Sequence, residues 1–242
     1  MLGIDYGADG FADELKGALG LDGAVYVHGM GTSDATLLEV AGGLGEIIAP
    51  GVGMPSGAHD GRIYTVEARN DGAGLRDQHG NTILSTTSHE FSLHTDAYNQ
   101  RIPPTYVLLL RSDDTDDETP SYLSDAHYAI ADLPADIVAV LRSAIFPSAL
   151  GQTSIVEQDR SGTAVRFNAE EIARWDGRED NLPVSSEGNA AITALQTSLI
   201  ARQEPTVLLP SDCLIVDNHR VCHGRGKMLP SSRRVLKRVW IV

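Results

Sequence analysis

Apolar positions along the chain change their period as they go, and each change marks a structural block. Phe11, Leu15, Ala18 and Leu19 recur at helical spacing, and AVYVH at 24–28 then reads as a short strand. Ser33 is placed to cap a second helix whose Leu37, Ala41 and Leu44 share one face. Residues 50–62, rich in Gly and Pro, read as loop. From Ile63 to Arg111 the pattern becomes short β-rich runs, RIYTVEA, EFSLHTD and TYVLLLR, separated by Gly-, Asn- and Pro-containing turns. Residues 125–145 predict helical turns interrupted at Pro134, and Ile192, Leu195 and Leu199 predict a longer helix over 187–203. The C-terminal portion returns to strands in TVLLP, CLIVDN and VLKRVWIV. Strands in two blocks, with helices before and between them, predict a mainly β fold: a sandwich or barrel of the jelly-roll kind with flanking helices.

Length and charge narrow the partners. At 242 residues with 42% hydrophobic content, the chain suits a single domain over 1–242, its N-terminal elements (1–62) packing on a jelly-roll core (63–242). A formal charge of −14 repels phosphate backbones and anionic headgroups, so nucleic acid and membrane surfaces are poor candidates for partners. The N-terminus lacks the basic-then-apolar pattern of a signal peptide, and no apolar run approaches the ~18 residues of a membrane span. The expectation is a cytoplasmic protein, with a homo-oligomer left open. Cys213 and Cys222 are too few for a disulfide framework and lack C-x-x-C spacing. Cys213 reads as a small buried residue, while Cys222 simply adjoins His223. The acidic run DDTDDE at 113–118 reads as a solvated loop, because it lacks the Gly and terminal Glu of a calcium loop.

The chemistry concentrates in two segments. In SHEFSLHTD, His94 and Asp96 are two residues apart, so on an extended strand they emerge on one face while Phe91 and Leu93 pack on the other. One imidazole and one carboxylate can then grip the same cation. A third ligand would complete a facial triad with open coordination positions. His223 is the candidate, following a buried-looking strand, CLIVDN, expected to run beside the first; His219 is its rival, on the same face of an extended strand. Spacing alone leaves a hydrogen-bonded structural histidine as the plainer reading of either segment. A zincin is disfavoured because HEFSLH sets its histidines five apart rather than four, which makes His89 and Glu90 structural or supporting. His28, His59, His79 and His127 show no partner pattern.

Together the segments resemble the taurine dioxygenase and clavaminate synthase superfamily of iron(II)/2-oxoglutarate oxygenases. HTDAYNQRIPPTYVLLLR is similar to the family's H-T-D or H-T-E motif with its Pro-containing turn and apolar strand. DNHRVCHGR followed by RRVLKR is similar to its second signature, D-N-R-x-x-x-H-G-R and a basic stretch ending R-x-x-x-R. The resemblance implies a double-stranded β-helix core of the cupin-like kind. It also implies His94, Asp96 and His223 as ligands of Fe(II), with 2-oxoglutarate and O2 as co-substrates. Arg234 would then hold the distal carboxylate of 2-oxoglutarate, a task suited to a planar guanidinium with parallel donors. Ser121 stands where the family has a threonine on the same carboxylate, although the usual Gly-Gly before it is replaced in DDETPSYLSD. Arg238, on the face of Arg234 in an extended strand, would meet an acidic group of the primary substrate, with Arg233 and Lys237 turned away to serve solubility. Ser211 replaces the glycine of the family's P-G-D turn, and the shorter chain suggests a reduced lid or one supplied by another subunit.

The implied reaction is oxidation, by default hydroxylation, of a C–H bond in a small, carboxylate-bearing, amino-acid-like molecule of specialised metabolism. Halogenation is disfavoured because Asp96 fills the position a halide needs. The rival class is a metal-binding jelly roll without oxygenase activity, an isomerase or a ligand sensor, which would have no use for Arg234.

Overall fold

The computed structural model of the chain describes residues 1–49, 61–68, 74–76, 80–158, 162–178, 180–229 and 231–242. Most of the predicted 50–62 loop, together with His59 and His79, lies outside them.

Two sheets face one another. The larger runs in the order Leu2–Asp5, Ala24–His28, Cys213–Asp217, Tyr106–Arg111, Val235–Ile241 and Ile47–Ile48, with Tyr64–Glu67 also paired to Val235–Ile241. The smaller runs Glu204–Thr206, Ser121–Asp125, Val221–Arg225 and Phe91–His94, all antiparallel. Helices Phe11–Asp22 and Asp34–Leu44 cover the outer face of the larger sheet, and helices between residues 126 and 201 cover the smaller. This is a jelly-roll core with flanking helices.

The apolar runs YVLLLR and CLIVD are continuous because the central strands are buried on both faces. Leu108, Leu110, Cys213 and Ile215 pack outward against the first two helices. Their alternating neighbours Val107, Leu109, Leu214 and Val216 pack inward against Leu123 and Val221 of the smaller sheet. The same alternation orients the last strand: Val239 and Ile241 face the helices, while Leu236 and Trp240 face the gap between the sheets. Segment 1–62 does more than lie on the core, since its strands hydrogen-bond directly to Cys213–Asp217 and Val235–Ile241. No helix among the described residues is long and apolar enough to cross a membrane.

Most predicted elements form, with informative differences. Residue 33 occupies the N-cap of the second helix, but the Ser33 side chain makes no capping bond. Pro134 starts helix Ala135–Arg142 after Ala126–Ala131 has ended, and the long helix spans Ser186–Ala201. TVLLP is not a strand beyond Thr206. Side chains take its backbone groups instead: the Tyr26 hydroxyl donates to Val207 O and accepts from Leu209 N, and Arg111 donates to Leu208 O.

Ser211 closes that segment with φ 74°. An L-residue in the left-handed region loses about 1–2 kcal/mol, part of which a glycine returns as unfolded-state entropy. Ser211→Gly should therefore stabilise the fold by about 0.5–1 kcal/mol, seen as a rise of roughly 1–4 °C in melting temperature. An unchanged or lowered melting temperature would show that the turn carries no strain.

Candidate metal centre and co-substrate pocket

The gap between the sheets opens into a pocket lined by His94, Asp96, His223, Ser121, Arg234 and Arg238, among others. The route by which His94 and Asp96 reach it differs from simple strand alternation. The strand ends at His94, and Asp96 lies in the turn that follows. The backbone leaves the sheet because other partners claim it: Thr95 N donates to Phe167 O (2.7 Å), and Asp96 N donates to the Asn218 side-chain oxygen (2.7 Å). Asn218, fully buried, donates in return to Asp96 O and Pro104 O. Ala97 at φ 60° completes the turn.

Phe91 is also placed differently from its expected position opposite His94. His223 pairs with His94 and Arg225 with Phe91, two steps on one strand against three on the other. The extra residue forms a β-bulge that turns Phe91 onto the pocket face, where its ring stacks on His94 at 3.9 Å. Gly224 sits at this irregularity. A Cβ there would come within 2.7 Å of Phe91 O, which gives the glycine of H-G-R a steric reason.

His94, Asp96 and His223 are all buried and bring their candidate ligand atoms within 4.8 Å of one another. Asp96 Oδ1 is 3.4 Å from His94 Nε2 and 3.6 Å from His223 Nε2. Two donors ~2.1 Å from one cation at right angles are ~3 Å apart, so a small contraction closes the set around a metal ion. His94 Nδ1 is 2.8 Å from Ser92 O. A carbonyl only accepts, so Nδ1 carries the proton and Nε2 keeps its lone pair for a metal. His223 Nδ1 has no partner among the described residues. Burial lowers the pKa of His223, against the pull of Asp96, and so favours the neutral ligand form.

The far side of Asp96 is equally constrained. Oδ2 accepts from Trp240 Nε1 at 2.6 Å and faces Arg238 Nη1 at 3.1 Å, which leaves Oδ1 as the oxygen turned to the histidines. Burial alone would raise this carboxyl, but Arg238 and the two histidines outweigh it and hold its pKa well below the usual range. An ionised carboxylate between two imidazoles, with one oxygen occupied, suits a divalent cation.

The remaining predicted residues fall as follows. His219 is in the turn between Cys213–Asp217 and Val221–Arg225, outside the cluster, so it is no rival to His223. CLIVDN belongs to the larger sheet; His223's own strand is the one paired with His94. Arg234 and Ser121 meet, Nη2 donating to Oγ at 2.8 Å, while Nη1 donates to Thr119 O and Nε has no partner among the described residues. Arg238 is buried between the Tyr64 and Trp240 rings, and its Nε and Nη2 lack partners among the described residues. Arg233 is exposed, whereas Lys237 ties the sheet to the second helix through Asp34 (2.6 Å) and Thr32 O. His89 and Glu90 are exposed, and His89 contributes a carbonyl to Arg225. Cys213 and Cys222 are buried free thiols, both pushed up by burial, Cys222 to about 12. The acidic run is only partly solvated: Asp114, Asp116 and Glu118 are exposed, but Asp113 and Asp117 turn inward.

Sequence reasoning assigned no role to Asn218, Trp240 or Gly224. Trp240 was within reach of the alternation that links Arg234 to Arg238, since 240 continues the same face. Trp240→Phe keeps an aromatic ring but removes one of the two donors on Asp96 Oδ2. Iron affinity should fall by roughly 10-fold, the effect typical of losing an outer hydrogen-bond partner of a ligand. An unchanged affinity in an iron titration would free Trp240 of this role.

The profile of the taurine catabolism dioxygenase TauD, TfdA family matches residues 4–240. No curated protein matches the sequence. Among solved structures, the fold is similar to asparagine oxygenase in complex with Fe(II), 2S,3S-3-hydroxyasparagine and succinate, at 19% identity and TM-score 0.74, covering 96% of this chain and 79% of that one. It is also similar to the non-heme iron oxygenase OrfP in complex with Fe and alpha-ketoglutaric acid, at 16% identity and TM-score 0.68, covering 97% and 80%. A variant of OrfP in complex with (3S)-hydroxy-L-Arg gives 17% identity and TM-score 0.70 over 97% and 80%. With nearly its whole length matched by the profile, the chain belongs to the TauD/TfdA dioxygenase family, among the iron(II)/2-oxoglutarate oxygenases.

Proposed function

We propose that this protein uses Fe(II), 2-oxoglutarate and O2 to hydroxylate a C–H bond of a small, carboxylate-bearing, amino-acid-like substrate. The observation that carries the reading is the meeting, in one pocket, of a His–Asp–His donor set and an arginine–serine pair. A metal-binding isomerase or sensor would have no use for the second of these.

When bound, iron and the keto acid would couple oxidative decarboxylation of 2-oxoglutarate, giving succinate and CO2, to oxidation of the substrate. The chain's own residues hold and orient. His94 Nε2, His223 Nε2 and Asp96 Oδ1 would hold the metal by three ligands. Arg234 and Ser121 would hold the distal carboxylate, fixing the keto acid by its far end. Phe91, Leu109, Met228 and Leu236 line the same pocket with apolar surface and limit water near the metal. Arg238 directs Nη1 to Asp96, so a substrate carboxylate would meet its remaining Nε and Nη2. The likeness to proteins solved with hydroxyasparagine and hydroxyarginine supports an amino-acid-like substrate. We take residues 1–242 as one working unit, because N-terminal and C-terminal strands share a sheet.

Aerobic incubation with iron(II), 2-oxoglutarate and ascorbate, against a panel of free amino acids, tests the reading. Succinate formation stimulated by a panel member that gains one oxygen atom is expected. No succinate and no product, from protein that binds iron, would return the site to the isomerase or sensor class.

A further inference from the structure

The inward half of the acidic run is held by one buried side chain and in turn holds the segment that carries Arg234. Arg111, 1% exposed at the end of its strand, directs most of its guanidinium into the loop that follows. Nη1 donates to Asp117 O and Leu208 O, both at 2.7 Å. Nη2 donates to Asp113 Oδ1 at 3.2 Å and to Thr115 O, and Nε donates to Asp113 Oδ2. An arginine with this many acceptors fixes a loop as firmly as a short strand pairing would.

The loop in turn grips the segment that carries Arg234, at three points. Asp113 Oδ2 accepts from Val235 N at 2.7 Å, and Ser112 N donates to Val235 O at 3.0 Å, next to Arg234 in sequence. Asp117 bonds the Ser232 side chain, and the Arg234 backbone N–H donates to Ser232 Oγ. Asp117 Oδ1 also accepts from Thr119 N at 2.7 Å, which presents Thr119 O to Arg234 Nη1 at 3.2 Å. The guanidinium of Arg234 is thus aimed from one side by Thr119 and Ser121, and its backbone from the other by Asp113 and Ser232.

Charge points the same way. Burial, with Arg225 and Arg111 as like charges, lowers Arg234 against the pull of Asp117 and Asp113, to about 10 in all, so it stays protonated at neutral pH. The sequence of groups runs cation, anion, anion, cation from Arg111 to Arg234, with the two arginines buried and the two aspartates half-buried.

We infer that Arg111, Asp113 and Asp117 are positioning residues for Arg234, and that the acidic run sets the affinity of the pocket for 2-oxoglutarate; this rests on the proposed function above. A purely structural loop would lower stability when altered and leave the two ligand affinities in step. A positioning loop separates them.

The test is anaerobic calorimetry with iron(II) titrated into metal-free protein and 2-oxoglutarate titrated into the iron-loaded protein. Asp113→Asn and Asp117→Asn keep the shape of the side chain and remove its charge. Each should raise the dissociation constant for 2-oxoglutarate by roughly tenfold while changing that for iron less than about twofold. Asp116→Asn, at an exposed position of the same run, should change neither. Unchanged 2-oxoglutarate affinity in both inward variants overturns the inference, as does a parallel loss of iron and 2-oxoglutarate affinity. A wild-type protein that binds iron but no 2-oxoglutarate overturns the functional reading itself, and the inference with it.

Discussion

Arg234→Met weakens 2-oxoglutarate binding by about a hundredfold or more and leaves iron binding nearly unchanged. Truncating one partner of a buried, hydrogen-bonded charge pair costs about 2–5 kcal/mol, and the other two arginines that line the pocket are held elsewhere. Arg225 donates to the carbonyls of Ser85, Thr87 and His89, and Arg238 directs Nη1 to Asp96 and keeps its remaining donors for the primary substrate. Methionine fills much of the guanidinium's stem volume without leaving a charge behind, so the fold should tolerate it. The two titrations of the preceding experiment read both constants. Comparable losses of iron and 2-oxoglutarate binding would mean that Arg234 supports the pocket as a whole instead of one carboxylate.

The second large effect is at Asp96, where the choice of substitution matters. Asp96→Asn should lower iron affinity by more than the roughly 10–100-fold typical of losing an outer partner, because a ligand itself is neutralised. Its amide oxygen can still accept from Trp240, but the neutral amide leaves Arg238 without its counter-charge, so the metal-free protein should melt below wild type, though by less than the alanine variant. Asp96→Ala removes the counter-charge from Arg238, 6% exposed, and the acceptor from the Trp240 indole. An uncompensated buried charge costs on the order of 3–5 kcal/mol, so alanine should also lower the melting temperature clearly. The folded pKa of Asp96 is depressed, so its contribution to stability is present above the unfolded carboxylate value near ~4 and is lost as pH falls through the folded value. Acid should therefore destabilise wild-type protein below about pH 4 in a way that Asp96→Asn does not. Identical acid melting of the two would remove Asp96 from that account.

Much of this centre was legible because its signals are local. H-T-D and H-G-R mark the ligand candidates within a few residues, and a strand period of two puts Arg234, Arg238 and Trp240 on one face. What stayed hidden depends on partners distant in sequence. The bulge that turns Phe91 onto His94 exists because of the opposing strand, and no pattern within EFSLHTD contains it. The turn that delivers Asp96 is set by Phe167 and Asn218, residues more than seventy positions away. The acidic run looked solvated because its charges look alike in sequence; their partners, Arg111 and Val235 for Asp113 and Thr119 and Ser232 for Asp117, distinguish these two from their exposed neighbours. TVLLP has strand composition, but hydroxyl and guanidinium groups across the fold take its backbone. Helix periodicity succeeded over 186–201 and 11–22 because burial there is repeated every turn and needs no specific partner.

The most direct test is a crystal grown anaerobically with iron(II) and 2-oxoglutarate, the metal located by its anomalous scattering. One iron bonded to His94 Nε2, Asp96 Oδ1 and His223 Nε2, with the keto acid chelating it and its distal carboxylate on Arg234, is the predicted result. Iron bound elsewhere, or a His223 ring turned away from the other two ligands with the keto acid absent from the pocket, would contradict it.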